Sequence, residues 1–454
     1  MTLFPKVNPL FHGLVATLLA ALIVLPAAYL DSLPLAIAAG VGLGLALLLF
    51  SNPLYALIGF VVLVPLEESI VIDGFGTITR LAGILFFASY LFHRRFRLDS
   101  RAVPIAAWLW FGWATLSLLW IVEPDMVGYF QLFQLFFMAF LVAELVSREP
   151  TYINPVLNWY TASSLIVALL GINNFLAGVS VEGDFNQASR TSAIEGQGVE
   201  NFAFYLIPAF FTSLHRSLHA DKWYYRLLYL ALSAVFIVAI LLSGTRGAWL
   251  AVLGGFLFVV LPRLRPRQWL IFGIGVLFSV IAVLQVPAVA EFVGFRAGNA
   301  LSSGGAGRTA IWKISTEVFL DHPIKGVGFR NFKEAVSLHD FEDANFDIYL
   351  DKPFVSTVTH NIYLQVAAEL GLIGLIFWFI WFYALLNVRP GTKEWTLVLA
   401  IAVAMLVGGL TNPELNRKYF WLPIGLLMGL RYAHLKTRVS TLHSSERALV
   451  QQDA

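Results

Sequence analysis

The sequence predicts an all-α fold, a polytopic integral membrane helical bundle of about 12–14 transmembrane helices with one long structured external loop that contains an amphipathic helix. Three observations predict it. Only 13% of the 454 residues are charged, about half the share of a soluble protein. Mean hydropathy is +0.75. The 38 Phe and 13 Trp are more apolar bulk than soluble cores hide, because a folded surface in water needs polar cover.

Runs long or apolar enough to cross a bilayer lie near 11–30, 33–50, 53–66, 77–93, 103–121, 126–146, 154–178, 201–214, 227–243, 246–261, 269–287, 360–386, 395–411 and 418–434. The first has only Lys6 before it and no A-x-A cleavage site, so it reads as a retained anchor. This layout divides the chain into an N-terminal transmembrane bundle (1–287), an external loop region (288–358), C-terminal transmembrane helices (359–434) and a cytoplasmic tail (435–454). Basic residues collect in three links: Arg94, Arg95, Arg97 and Arg101; Arg216, Lys222 and Arg226; Arg263, Arg265 and Arg267. All three fall on one side with both termini and Arg389/Lys393, and that side is the cytoplasm. The opposite face receives the link at Glu123 and Asp125, a 179–200 loop, the Gly244–Gly247 link, the 288–358 loop and the Asn412–Lys418 link.

Within the long loop, 308–320 places Ile311, Ile314 and Val318 at helical spacing, with Lys313 and Glu317 on another face. This predicts an amphipathic helix that lies on the membrane surface or caps the bundle. His322-Pro323 stops it, and Gly326 and Gly328 permit a tight turn.

Several chemistries are disfavoured. The balance of 30 basic and 28 acidic residues, net +2, is not that of a nucleic-acid binder. Zero Cys removes thiolate nucleophiles, cysteine zinc sites and disulfides. Neither H-E-x-x-H, a P-loop nor a D-x-D motif is present, which disfavours nucleotide-driven coupling and sugar-nucleotide donors. The acidic series Asp340, Glu342, Asp343, Asp347 and Asp351 lacks EF-hand spacing and reads as a solvated face.

The informative residues are arginines on the side that positive charge avoids. Arg190, Arg246, Arg308 and Arg417 all lie at the outer face beside span ends, although the 288–358 loop holds seven Lys/Arg against nine Asp/Glu. Guanidinium grips phosphate bidentately. For each one alone, a snorkelling or carboxylate-paired side chain is the plainer reading; four converging would describe an anion site. Arg246, in L-S-G-T-R-G-A-W-L, stands at the first turn of a helix, where free N–H groups and the helix dipole favour phosphate as well. His360, in T-H-N-I-Y-L-Q-V-A-A-E-L-G-L-I-G, can titrate near neutrality and accept a hydroxyl proton, with Thr359 or Asn361 to orient it. Glu369, inside an apolar span, marks function or an internal pair.

L-S-G-T-R-G-A-W-L, then G-R-T-A-I-W…D-H-P-I-K-G-V-G-F-R-N-F, then T-H-N-I-Y-L-Q-V-A-A-E-L-G-L-I-G, in that order over about 190–386, resemble the bacterial O-antigen ligase and polymerase superfamily. The resemblance implies a metal-independent, cofactor-free glycosyltransferase in the inner membrane, working at the periplasmic face on a glycan carried by undecaprenyl pyrophosphate. It implies functional roles for Arg246, Arg308 and His360, and aligns Arg190 with an arginine ahead of the mid-chain external helix. Relatives often read N-P-N at that helix start; this chain reads V-E-N. The leading expectation is an O-antigen ligase with lipid A–core oligosaccharide as acceptor, membrane lipids as surroundings and no nucleic-acid partner. In it His360 and Arg246 are catalytic, and Arg190, Arg308, Asn361, Glu369 and Arg417 bind substrate. An O-antigen polymerase or a protein O-oligosaccharyltransferase would share the donor. A lipid-linked glycan flippase accounts for the spans and Glu369, but not for a structured loop or for arginines gathered at one face.

Overall fold

A computed structural model describes residues 33–69, 71–72, 76–95, 97–121, 123–179, 191–194, 197–257, 308–337, 358–388 and 390–452. The expected spans 11–30 and 269–287, the basic cluster at 263–267, Arg389, Arg190 and the acidic series 340–351 lie outside the described residues. The chain forms two compact units, 1–63 with 71–98, and 64–70 with 99–454.

In the first unit, α1 (Leu33–Phe50), α2 (Pro53–Leu63) and α3 (Ile78–Arg94) follow the apolar runs. Asn52 starts α2 by accepting the Leu54 N–H at 2.9 Å, with Pro53 at the first helical position, where its missing donor costs nothing. The Ser89 hydroxyl donates to the Phe50 carbonyl at 2.8 Å, tying α3 to the end of α1. Phe60, Phe86 and Tyr90 fill the core. An antiparallel pair of two-residue strands, β1 (Val71–Ile72) and β2 (Gly76–Thr77), precedes α3.

The second unit contains α4 (Ile105–Leu116), α5 (Met126–Arg148), α6 (Ile153–Leu176), α7 (Val199–His219), α8 (Trp223–Leu242), α9 (Arg246–Gly255), α10 (Arg308–Asp321), α11 (Phe332–Ser337), α12 (Ile362–Leu386), α13 (Lys393–Gly408) and α14 (Lys418–Gln452). Helix α7 is buried on every side from Val199 to Leu214 apart from Glu200, which makes it the central post of the unit. Helix α14 lies against α5 through Gly425 and Gly429, whose missing side chains admit the Ala139 and Ala143 carbonyls. This four-residue glycine spacing lets two helices approach closely where lipid offers no hydrophobic drive to pack them. Trp110, Trp378, Trp381 and Trp421 cluster between α4, α12 and α14.

Four helical stretches, Met126–Arg148, Pro150–Leu176, Trp223–Leu242 and Ile362–Leu386, are long and apolar enough to cross a bilayer. Large apolar side chains stand exposed along them, including Phe130, Ile166, Leu228 and Phe379. Such surface is tolerable against lipid and not against water. This is an all-α polytopic membrane protein. Several boundaries differ from expectation. The 103–121 run is α4 followed by a 3-10 turn at Ser117–Trp120, and α14 runs through the expected boundary at 434 as far as Gln452.

The amphipathic segment is a helix, α10, and it packs its apolar face against α12. Ile314 and Val318 join Val327, Phe332, Ala335, Val336 and Ala368 of α12 in one apolar cluster, while Lys313 faces out. The turn after α10 has a role that its sequence does not announce. Helix α12 breaks at Gly371 (φ 65°, ψ −165°), and the 323–328 turn plugs the gap. Val327 N–H donates to the Ala368 carbonyl at 2.9 Å and Gly328 N–H to Glu369 at 2.8 Å; Leu372 N–H donates to Pro323 at 2.8 Å and Ile373 N–H to Ile324 at 3.3 Å. The Leu370 carbonyl accepts from the Trp113 indole at 2.9 Å. The backbone groups opened by the break are thus satisfied, as burial demands.

Candidate functional site

The site is built where four helices of the second unit begin. Helix α7 starts with Val199, Glu200 and Asn201, and the Val199 carbonyl accepts from the hydroxyl of Thr245 at 3.2 Å. Thr245 is the residue before α9, so Arg246, the first residue of α9, stands beside the α7 start, half-buried. Gly244 makes the turn between α8 and α9 with φ 66°. Gly247 belongs to the helix rather than to the turn. It lies inside α9, where a side chain would strike Thr411. Helix α12 begins with Asn361, whose side-chain oxygen accepts the Tyr363 and Leu364 N–H groups at 2.9 and 3.1 Å. Ile362 N–H donates to Gly409 at 2.7 Å, binding this start to the same 409–417 link that meets α9.

Arg308, the first residue of α10, reaches across to the α7 start. Its Nη2 lies 2.6 Å from Glu200 Oε1, with 20% of the arginine and 30% of the glutamate side chain exposed. His360 stands just outside α12 rather than opening it, held at φ 48°. That left-handed conformation is costly for a residue with a Cβ and persists only where the surroundings impose it. Burial lowers the imidazole pKa below its ordinary 6.5; Glu200 pulls it up and Arg308 pushes it further down. Its Nδ1 is buried and has no hydrogen-bond partner among the described residues. Thr359 and Asn361 do not orient this ring nitrogen. The Thr359 hydroxyl donates to the Asn361 carbonyl at 2.9 Å, and the Asn361 side-chain oxygen is occupied by its cap.

Arg417 belongs to an adjoining charged group. It lies 3.7 Å from Glu68, which also accepts from the Asn201 amide at 2.8 Å. Beside them Lys418 pairs with Glu67, and Glu67 accepts from the Tyr205 hydroxyl at 3.0 Å. Burial raises the Glu68 pKa, helped by Glu67 and opposed by Arg417 and the Asn201 hydrogen bond. Because Asn201 follows Glu200, the two groups share the first turn of α7.

The structure therefore brings Arg246, Arg308, His360 and Asn361 to one region and Arg417 to its edge. Glu369 is not brought there. It lies nine residues along α12 from His360, roughly 13 Å at 1.5 Å per residue. It is buried, accepts from the Gln365 amide at 3.3 Å and from the backbone N–H of Arg330, and belongs to the interlock at the helix break. Sequence reasoning passed over the acids. Glu200, Glu67 and Glu68 carried a signal, since carboxylates flanking apolar runs are unusual, but their partners were not identifiable. Arg330, which pairs with Asp125 at 3.0 Å, was also missed.

Half-buried cations, an imidazole with an unfilled nitrogen and four helix starts with their partial positive charge make a pocket of chemistry suited to an anionic substrate. Residues 231–379 match the family model Wzy_C, described as O-Antigen ligase. These residues resemble an O-antigen ligase domain. The match spans Arg246, Arg308, His360, Asn361 and Glu369, and stops short of Glu200, Glu68 and Arg417 on either side. The likeness is to the ligase and polymerase glycosyltransferase type, and the apolar helices describe a multi-pass membrane protein. No curated protein matches the chain.

Proposed function

We propose that the chain is an inverting, metal-independent O-antigen ligase. It moves glycan from undecaprenyl pyrophosphate to lipid A–core oligosaccharide at the periplasmic face of the bacterial inner membrane. The observation that carries this reading is His360, a half-buried imidazole biased towards its neutral form, beside Arg308 and the start of the Arg246 helix. A neutral imidazole whose Nδ1 has no partner among the described residues has a lone pair to offer a proton.

The reaction needs little more. A glycosyl pyrophosphate already carries its leaving group, so no carboxylic acid of the glycosidase kind is required. The acceptor hydroxyl gives its proton to His360 as its oxygen bonds to the anomeric carbon. The bond from that carbon to the pyrophosphate oxygen breaks on the opposite face, and the electron pair leaves with the lipid pyrophosphate. Arg246 and Arg308 face the charge that grows there. His360 returns its proton to water. Attack from the rear inverts the anomeric carbon. The basic links Arg216–Arg226 and Lys393 lie at the other ends of these helices, which supports an external site by the positive-inside rule.

The test is reconstitution of the full chain in lipid nanodiscs with lipid-linked O-antigen and purified lipid A–core. Transfer of glycan to the core lipid is the expected result. Elongation of the donor with no product on the core would replace ligase by polymerase.

A further inference from the structure

Glu200 takes no part in the transfer step, yet it touches one member of the site and polarises another. Its carboxylate neutralises Arg308 at 2.6 Å, and it is the group that opposes burial and Arg308 at His360. It also stands at the second position of α7, where a negative charge suits the helix start. Helix α7 is otherwise buried from Val199 to Leu214, Glu200 is the charged residue of that stretch, and its carboxylate points to Arg308.

We propose that Glu200 is a positioning residue that changes partner during turnover: it occupies Arg308 while the site is empty, and is released to face His360 when pyrophosphate takes the guanidinium. The inference rests on the proposed transferase reading. A pyrophosphate bearing two or three negative charges is a stronger bidentate partner for Arg308 than one carboxylate. Its arrival leaves Glu200 without a cation next to the histidine. His360 becomes cationic as it takes the acceptor proton, and a carboxylate at that moment stabilises the imidazolium and fixes the ring. When the lipid pyrophosphate departs, Arg308 recovers Glu200 and His360 is again favoured as the neutral base. Glu200 thereby competes with the donor at Arg308 and assists the base after the donor is bound. Among the described residues, the charged groups acting on His360 in this exchange are Glu200 from α7 and Arg308 from α10.

The experiment compares wild type, Glu200→Gln and Arg308→Gln in nanodiscs, using undecaprenyl pyrophosphate as the binding probe and pH profiles of kcat as the second readout. With Glu200→Gln the probe should bind about tenfold more tightly, since its competitor is gone. The rate should fall about tenfold, and its acid limb should move to lower pH, because the group that raises the His360 pKa has been removed. Arg308→Gln should move the limb in the opposite direction and weaken the probe. Should Glu200→Gln fail to fold, the upward move in Arg308→Gln carries the test, and its absence overturns the exchange. A purely helix-starting role for Glu200 predicts lower thermal stability with probe affinity and acid limb unchanged, which also overturns it. A wild type that neither binds the probe nor transfers glycan would overturn the transferase reading itself. An active wild type with an unmoved limb in both variants removes only the partner exchange.

Discussion

Replacing Gly371 by Ala attacks the joint between the two halves of the site. Gly371 sits at φ 65° and ψ −165°, a region that only glycine enters without strain; an L side chain there costs about 1–3 kcal/mol. A Cβ would also come within 2.7 Å of the Gly326 nitrogen and closer still to the Ile324 carbonyl. Both obstacles are backbone and cannot rotate aside. The 323–326 turn would have to withdraw, giving up the Leu372-to-Pro323 and Ile373-to-Ile324 hydrogen bonds. Each is worth about 0.5–1.5 kcal/mol net, so the total loss is about 2–6 kcal/mol. Gly391 supplies the control, with φ 76° and open space where its Cβ would go. Ala there should lose only the left-handed penalty of about 1–2 kcal/mol. Thermal unfolding in nanodiscs, followed by Trp fluorescence, should show Gly371→Ala several degrees below Gly391→Ala. Because α10 carries Arg308 and α12 begins beside His360, glycan transfer should fall as well. Equal unfolding temperatures for the two variants would refute the interlock.

Two further outcomes concern the site. The acid limb of the wild-type kcat/KM profile, which reports the empty enzyme, should lie below 6.5: burial and Arg308 lower the His360 pKa there, so the neutral base survives to more acidic pH than free imidazole. A limb above 6.5 would contradict that. Asn361→Ala removes the acceptor of two N–H groups at the start of α12 and should cost about 1 kcal/mol of stability, read as a lower unfolding temperature. The loosened α12 start should cut the transfer rate more than donor affinity.

What the sequence revealed and what it hid have physical causes. Helices α5, α6, α8 and α12 were legible because a bilayer demands length and apolarity, both of which are local properties. Helix α10 was legible from the spacing of Ile311, Ile314 and Val318, and its end from His322-Pro323. The break in α12 was not, since A-E-L-G-L-I-G reads as uninterrupted apolar helix and the strain at Gly371 is imposed by a turn from elsewhere in the chain. Arg308 and His360 stood out as residue types in the wrong place for their charge. Their acids did not: Glu200 meets Arg308 across 108 residues, and Glu68 meets Asn201 across 133. Arg417, for which a snorkelling or carboxylate-paired side chain was the plainer reading when taken alone, faces Glu68. Glu369 was correctly marked as unusual for its apolar span, but its partners are Gln365 and the Arg330 backbone rather than groups of the site.

The central claim is a division of labour, with arginines holding a diphosphate and His360 moving a proton. Its most direct test is a paired measurement of undecaprenyl pyrophosphate affinity and single-turnover glycan transfer in His360→Gln and Arg246→Gln. The account predicts that His360→Gln keeps its affinity and loses about 10²–10⁴-fold in rate, whereas Arg246→Gln loses affinity as well as rate. Full transfer by His360→Gln, or unchanged affinity in Arg246→Gln, would contradict it.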